Sequence, residues 1–428
     1  SQFENFVKNL KCGFTSCNLR DLRTGNLLFA PYKIFTYGDL KVAFVGVCTP
    51  ESIVKSTPST FMDENGKYIY DFDDGADGEK LIASIQKAAD DARAEGADYV
   101  IVVGHLGTYE DVTEVWSTPY IVPRTRNIDA FIDAHSHEVI PALVFKNADG
   151  KDTPIVQTGT KLHNIGQITI KTDGSVKTEL IGSFEGRDEK ITALIADIKE
   201  RFDGTLRQHL SYTSFDLRSM DDAGNWLHRN AETNLCNLAA DAMMYSAKST
   251  PTGEADIAFF NAGGLRANIM PGEITYSDAL SVMPFNNTVC IVEVSGQTIL
   301  DELEHGVRLM PNKSGGFLHV SGMTYTVDTR IPTPVKTDDK NILISIEGER
   351  RVKDVKVNGE PLDPEKHYKV VSISYVLLGL GDGHVFKGAK VLEPDYESAT
   401  DAFAHYIKSF ERLPERYRNP EGRMTVIH

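Results

Sequence analysis

Apolar and polar positions alternate in two periods along this chain. Residues 40–47, Leu-Lys-Val-Ala-Phe-Val-Gly-Val, read as a strand. Over residues 78–96 the period changes. Leu81, Ile82, Ile85, Ala88, Ala89 and Ala92 recur at helical spacing, which predicts a helix with one buried face. Tyr99-Val100-Ile101-Val102-Val103 is a continuous apolar run, the signature of a strand buried on both faces. Residues 126–134 predict a helix feeding a short strand. Residues 154–157 predict another strand, and 166–181 a hairpin turning at Thr172-Asp173-Gly174. Residues 187–210 are charged and helical, with Ile191, Leu194, Ile195, Ile198 and Phe202 as the apolar positions.

Beyond that helix the mixture resumes. A helix over 232–246 leads to a strand over 255–260, and Ser277 is the expected N-cap of a short helix. A strand over 289–294, a helix over 297–307, hairpins over 318–327 and 353–371, and a last helix over 399–410 follow. Val357-Asn358-Gly359 carries a strong hairpin signal. The expectation is a mixed α/β chain in two parts, 1–186 and 211–428, joined by a helix over 187–210.

Composition narrows the partners. A formal charge of −16 over 428 residues argues against a nucleic-acid polymer, because phosphate backbones are held by clustered Lys and Arg. A small anion in a locally positive pocket stays compatible with it. No apolar run reaches the roughly 18 residues of a membrane span. Cys48, Cys236 and Cys290 sit in apolar patterns that predict buried thiols, while Cys12 and Cys17 are close enough for a local disulfide that nothing requires.

Two clusters carry chemistry. His105 follows one buried strand, and His135 and His137 follow the next. Ligands gather at the carboxyl ends of strands in such sheets, so three imidazoles should converge there. His135 and His137, two apart in an extended segment, should face the same way and suit Zn, Mn, Fe or Co. Asp133 and Glu138 should face away.

The second cluster suits a planar anion. Asn261-Ala262-Gly263-Gly264-Leu265-Arg266 leaves a strand through two glycines, with an amide and a guanidinium at the strand end. Arg229 precedes a helix, and Phe285 stands on a turn. Asp382 lies between Gly381 and Gly383, where an acid suits ribose hydroxyls. Together these residues describe a nucleotide or nucleoside pocket.

The order Gly-His, His-x-His, Arg-x-x-Glu-x-Asn-x-x-Asn-Leu-x-x-Asp-Ala-Met, Asn-x-Gly-Gly-Leu-Arg, Pro-Phe and Gly-Asp-Gly resembles the 5′-nucleotidase family. The resemblance covers nearly the whole chain. It implies part of a four-layer calcineurin-like metallophosphoesterase domain, and an α+β C-terminal domain that binds the nucleoside. Nucleoside 5′-monophosphates would be hydrolysed by a metal-activated water. Two divalent ions, Zn, Mn or similar, are implied, with His105, His135 and His137 among their ligands. Arg229, Asn261, Arg266, Phe285 and Asp382 are implied as substrate residues, with Gly263 and Gly264 in the same turn. The family implies rotation between the domains, with the hinge over 187–210, and a periplasmic, secreted or cell-surface home.

Two departures follow. The family's Asp-x-His, Gly-Asp and Gly-Asn-His-Glu motifs, with the catalytic His/Asp pair, do not occur in these residues. The expectation is that they precede Ser1 or are naturally absent. The family's second base-stacking aromatic falls on Val376, with Tyr375 beside it and Leu380 inserted, so Tyr375 substitutes only if a bulge absorbs the extra residue. UDP-sugars, cyclic nucleotides or a related sulfur- or phosphorus-oxo ester as substrates, and a catalytically defective nucleoside-binding protein, remain alternatives. The residues leave base preference and oligomeric state open.

Overall fold

In the computed structural model, which describes residues 2–109, 112–171, 173–338 and 342–428, the run at residue 40 becomes the hub of a six-stranded sheet. Its strands are β1 (Tyr32–Tyr37), β2 (Leu40–Cys48), β3 (Tyr99–His105), β4 (Ala130–Asp133), β5 (Val139–Lys146) and β6 (Asp152–Thr158), in the order β1-β2-β3-β4-β6-β5. β2, β3, β4 and β6 run parallel, and β1 and β5 close the edges antiparallel. Helix α1 (Glu79–Ala94) covers one face, and all six of its forecast apolar residues are buried.

Several expectations need correction here. Val103 is 42% exposed, so β3 is buried on both faces only in its first half. No helix runs over 126–129. Asn127 has φ 63°, a left-handed conformation that a helix cannot continue through. Asp129 is instead buried, accepting hydrogen bonds from Val100 N, Arg93 and Lys151. The hairpin β7 (Ile165–Ile170) with β8 (Val176–Ile181) forms as expected, although Thr172 of its turn lies outside the described residues.

The chain divides into two compact units, Ser1–Lys55 with Thr60–Gly186, and Ser56–Ser59 with Arg187–His428. Helix α2 (Glu189–Leu206) belongs to the second and buries none of its residues. The core of that unit is a five-stranded sheet. It uses β9 (Ile257–Asn261), β10 (Val289–Ser295), β11 (Leu318–Ser321), β12 (His367–Ile373) and β13 (Lys390–Glu393), in the order β11-β9-β12-β10-β13. Helices α3 (Asn234–Ala247), α4 (Tyr276–Val282), α5 (Gly296–Gly306) and α6 (Ala399–Lys408) belong to the same unit, and each buries part of its surface.

Two local readings change. The cap of α4 is Thr275, not Ser277, because Thr275 and Asp278 form a reciprocal capping box. Residues 318–327 are no hairpin. β11 joins the five-stranded sheet and Met323–Asp328 a different, four-stranded one. Gly322, at φ 76°, makes the turn between them, where a Cβ would stand 2.4 Å from the Asp256 carbonyl. The Asn358-Gly359 turn does close a hairpin, pairing Val357 with Glu360, but not one that reaches residue 371, because β12 pairs within the five-stranded sheet instead. All five cysteines are free; Cys12 is exposed, Cys17, Cys236 and Cys290 buried, and Cys48 half-buried. Among the described residues no helix is long and apolar enough to cross a membrane.

Candidate functional site

His105 is the last residue of β3, and β4 ends two residues before His135, so strand length alone brings these imidazoles to one sheet edge. His105 Nε2 lies 3.2 Å from His135 Nδ1. Desolvation, then the neighbouring rings of His135 and His137, pulls the pKa of His105 down to about 4. The ring is therefore neutral near pH 7, the state in which imidazole ligates a metal. The segment after β4 is not extended. His135 and His137 have φ 84° and 60°, so the expectation that they face alike from a strand fails. Such left-handed non-glycine residues concentrate at functional sites.

Sequence reasoning missed Glu51. Its Oε2 lies 2.8 Å from His135 Nε2, and Oε1 accepts from Thr113 N and Oγ1 at 2.8 and 2.6 Å. Burial alone would raise this carboxyl, but the His135 bond and the Lys55 charge bring it down to about 2. An imidazole oriented by a carboxylate on its far nitrogen is a usual support for a metal ligand. By donor chemistry the His105–His135 pair fits a divalent ion. Asp133 and Glu138 place their carboxylates on other groups. Asp133 accepts from Leu106 N and Thr118, and Glu138 from Thr108 and Tyr109 N. Three donors already converging within 4.8 Å occur, among the described residues, only at Glu302, His305 and His384 in the second unit.

In the second unit β9 delivers Asn261 to its carboxyl end, buried at 3% exposure. Asn261 Nδ2 donates to the Gly315 carbonyl at 3.4 Å, while its buried Oδ1 meets no donor among the described residues. An orphaned acceptor of this kind suits an N–H or O–H on a ligand. Gly263 N donates to the same carbonyl at 2.7 Å, and a Cβ on Gly264 would meet the Phe260 ring at 2.7 Å, so the turn is tight. Arg266 Nε donates to the Gly263 carbonyl at 2.7 Å, which aims the guanidinium.

Both arginines gather on aromatic rings. The guanidinium carbon of Arg229 stands 4.8 Å from the Trp226 ring centre, and that of Arg266 5.9 Å from it and 5.1 Å from Phe285. Sequence reasoning missed Trp226 too. Stacking holds a guanidinium while leaving its in-plane donors for an anion. Phe285 is 44% exposed, as a turn position implied.

Val376, at the expected stacking position, is instead fully buried. Residues Ser374–Leu377 form a helical turn, and the inserted Leu380 is absorbed at φ 57° rather than by a strand bulge. Tyr375 consequently packs on the Gly-Asp-Gly turn. A Cβ on Gly381 would stand 2.0 Å from its ring. The Tyr375 hydroxyl donates to Asp382, and burial, then that carboxylate, drives its pKa well above the ordinary tyrosine value. Arg266 lies close enough to oppose that shift.

Residues 216–388 match the sequence model of the 5′-nucleotidase C-terminal domain. A 5′-nucleotidase of Vibrio cholerae is 28% identical over 73% of this chain and 60% of its own length. A snake venom 5′-nucleotidase of Naja atra is 26% identical, over 98% of this chain and 79% of the relative. The crystal structure of a 5′-nucleotidase precursor from Thermus thermophilus superposes with a TM-score of 0.76 at 26% identity, covering 99% of this chain and 80% of that one. The chain spans less than two thirds of the length of the Vibrio cholerae protein, 60%, and of a 5′-nucleotidase of Vibrio parahaemolyticus, 62%.

Proposed function

We propose, from the premise that the chain belongs to the 5′-nucleotidase family, that it serves a metal-dependent phosphohydrolase releasing phosphate from nucleoside 5′-monophosphates. The observation that carries this is the pair of guanidiniums, Arg229 and Arg266, near the Trp226 ring, with Phe285 and Tyr375 near Arg266 and Asp382 bonded to Tyr375. Two fixed cations next to stacking rings and a carboxylate suit a ligand that is anionic at one end and a nucleoside at the other. Arg229 and Arg266 hold the phosphate, with the Gly263-Gly264 turn letting the backbone approach. Asn261 Oδ1 takes a ligand hydroxyl. Phe285 and Tyr375 flank the base, and Asp382 accepts from the ribose.

The family generally uses divalent metals. His105, His135 and His137 would hold such an ion, with Glu51 orienting His135. Two such ions, Zn, Mn or similar, are what the family resemblance implies, and of these Zn suits imidazole donors. A bound divalent ion supplies Lewis-acid polarisation of the phosphoryl group and a more acidic water. The arginines meanwhile meet the charge that grows on the phosphoryl oxygens. Residues 1–186 form the metallophosphoesterase part, 187–210 the connecting hinge and 211–428 the nucleoside-binding part. A venom protein among the relatives supports a location outside the cytoplasm.

A substrate panel tests this reading. Metal-replete protein should release phosphate from AMP faster than from a UDP-sugar or a cyclic nucleotide. Absence of release from any phosphate ester, with two ions bound, would remove the proposal.

A further inference from the structure

Glu302 and His384 are fully buried ionisable side chains that the reading above leaves unused. Glu302 lies on α5. One of its carboxylate oxygens accepts from His384 Nδ1, and the other from Val385 N at 2.8 Å. A single carboxylate thus ties down both residues that follow Gly381-Asp382-Gly383. From the other side Arg308 Nη2 donates to the Asp382 carbonyl at 3.4 Å. Gly316 gives room for Asp382, since a Cβ there would stand 2.7 Å from the Asp382 Cβ.

The turn needs such restraint. Leu380 and Asp382 have φ 57° and 53°. Left-handed backbone disfavours L residues, so it persists only where surroundings over-determine it. Relaxation of Asp382 toward right-handed geometry would swing its carboxylate off the Tyr375 hydroxyl. His384 Nε2 is buried with no hydrogen-bond partner among the described residues, so the bond from Nδ1 to Glu302 is what orients this ring.

The same cluster could be taken for a cation site, because Glu302, His305 and His384 offer donors within 4.8 Å. Two observations oppose that. Both Glu302 oxygens are already engaged, and an Arg308 guanidinium nitrogen stands 3.4 Å from His305 Nδ1. A second cation there would face an existing one.

We propose that the Glu302–His384 pair is a positioning device: it holds the Gly-Asp-Gly turn left-handed so that Asp382 presents its carboxylate to the sugar hydroxyls of a bound nucleoside. The inference rests on the nucleoside-pocket reading. Neither residue touches the ligand, and both act through the turn.

Calorimetric titration of the full chain with adenosine and with 2′,3′-dideoxyadenosine tests it. Wild type should prefer adenosine by about tenfold, the worth of roughly one good hydrogen bond to a charged group. H384F fills the imidazole's space but removes its donor, and should cut that preference to about twofold or less. E302Q, which keeps an acceptor, should lie between. For AMP turnover the loss should fall on KM with kcat nearly unchanged. A merely structural lesion would weaken both nucleosides alike and leave their ratio intact. A folded H384F or E302Q that retains the wild-type ratio overturns the positioning role, as does a wild type that binds both nucleosides equally. A wild type that binds neither removes the pocket reading itself, and the inference with it.

Discussion

His319 is a residue whose environment sets its chemistry against pH. It sits on β11 at 3% exposure, stacked 6.1 Å from His228 and edge-on to Phe317, with Nε2 2.9 Å from the His228 carbonyl. Burial, then His228, lowers its pKa to about 3. Below pH 6.5 an unfolded chain protonates this ring while the folded one does not, so stability is complete above that pH and falls as pH drops toward 3. At pH 5 the loss should be about 2 kcal/mol, from roughly 1.4 kcal/mol per unit. Urea denaturation of wild type and H319Q at pH 7 and pH 5 measures it. Gln keeps a donor for the His228 carbonyl, so H319Q should lose less stability between the two pH values. Equal losses would contradict the assignment. Residue types were the legible part of the proposed pocket: Arg229, Asn261, Arg266, Phe285 and Asp382 suggest their chemistry by identity and by nearby glycines. Trp226 and Glu51 were not, because their importance comes from contacts across 40 and 84 residues of chain, Trp226 with Arg266 and Glu51 with His135.

Elements were legible where one period ran unbroken. α1 buries the six residues its spacing named, and β2 follows its apolar run. Failures came where a single backbone conformation overrode the pattern. Asn127 at φ 63° forbids a helix, Gly322 at φ 76° sends successive strands to different sheets, and Leu380 at φ 57° re-aims Tyr375. Periodicity carries no record of φ. Helix α2 shows the opposite balance, since it buries no residue and depends on local terms. Its N-cap is Asp188, whose carboxylate accepts from Ile191 N at 2.9 Å. D188A should destabilise the first turn by about 1 kcal/mol. Hydrogen exchange at residues 191–195 should then quicken about fivefold, with the core sheets unaffected. Unchanged exchange would mean that packing, not the cap, holds this helix.

At the scale of the whole molecule, each unit carries its own chemistry on a sheet edge: paired imidazoles where β3 and β4 end, and guanidiniums on Trp226 beyond β9. The mixed α/β class was readable because strand and helix periods alternate in both halves. The Gly-Asp-Gly turn was readable as a turn but not in its geometry, which depends on buried partners such as Glu302. The central proposal is a phosphate release from nucleotides that requires both a divalent metal and the Arg266 guanidinium. Phosphate release from AMP, followed for wild type, chelator-treated protein and R266A, tests this most directly. The account predicts release that chelation abolishes and added Mn or Zn restores, and a fall in kcat/KM of about a hundredfold or more for R266A, the worth of one charged contact to the reacting group. Release that survives chelation, or an R266A variant as active as wild type, would contradict it.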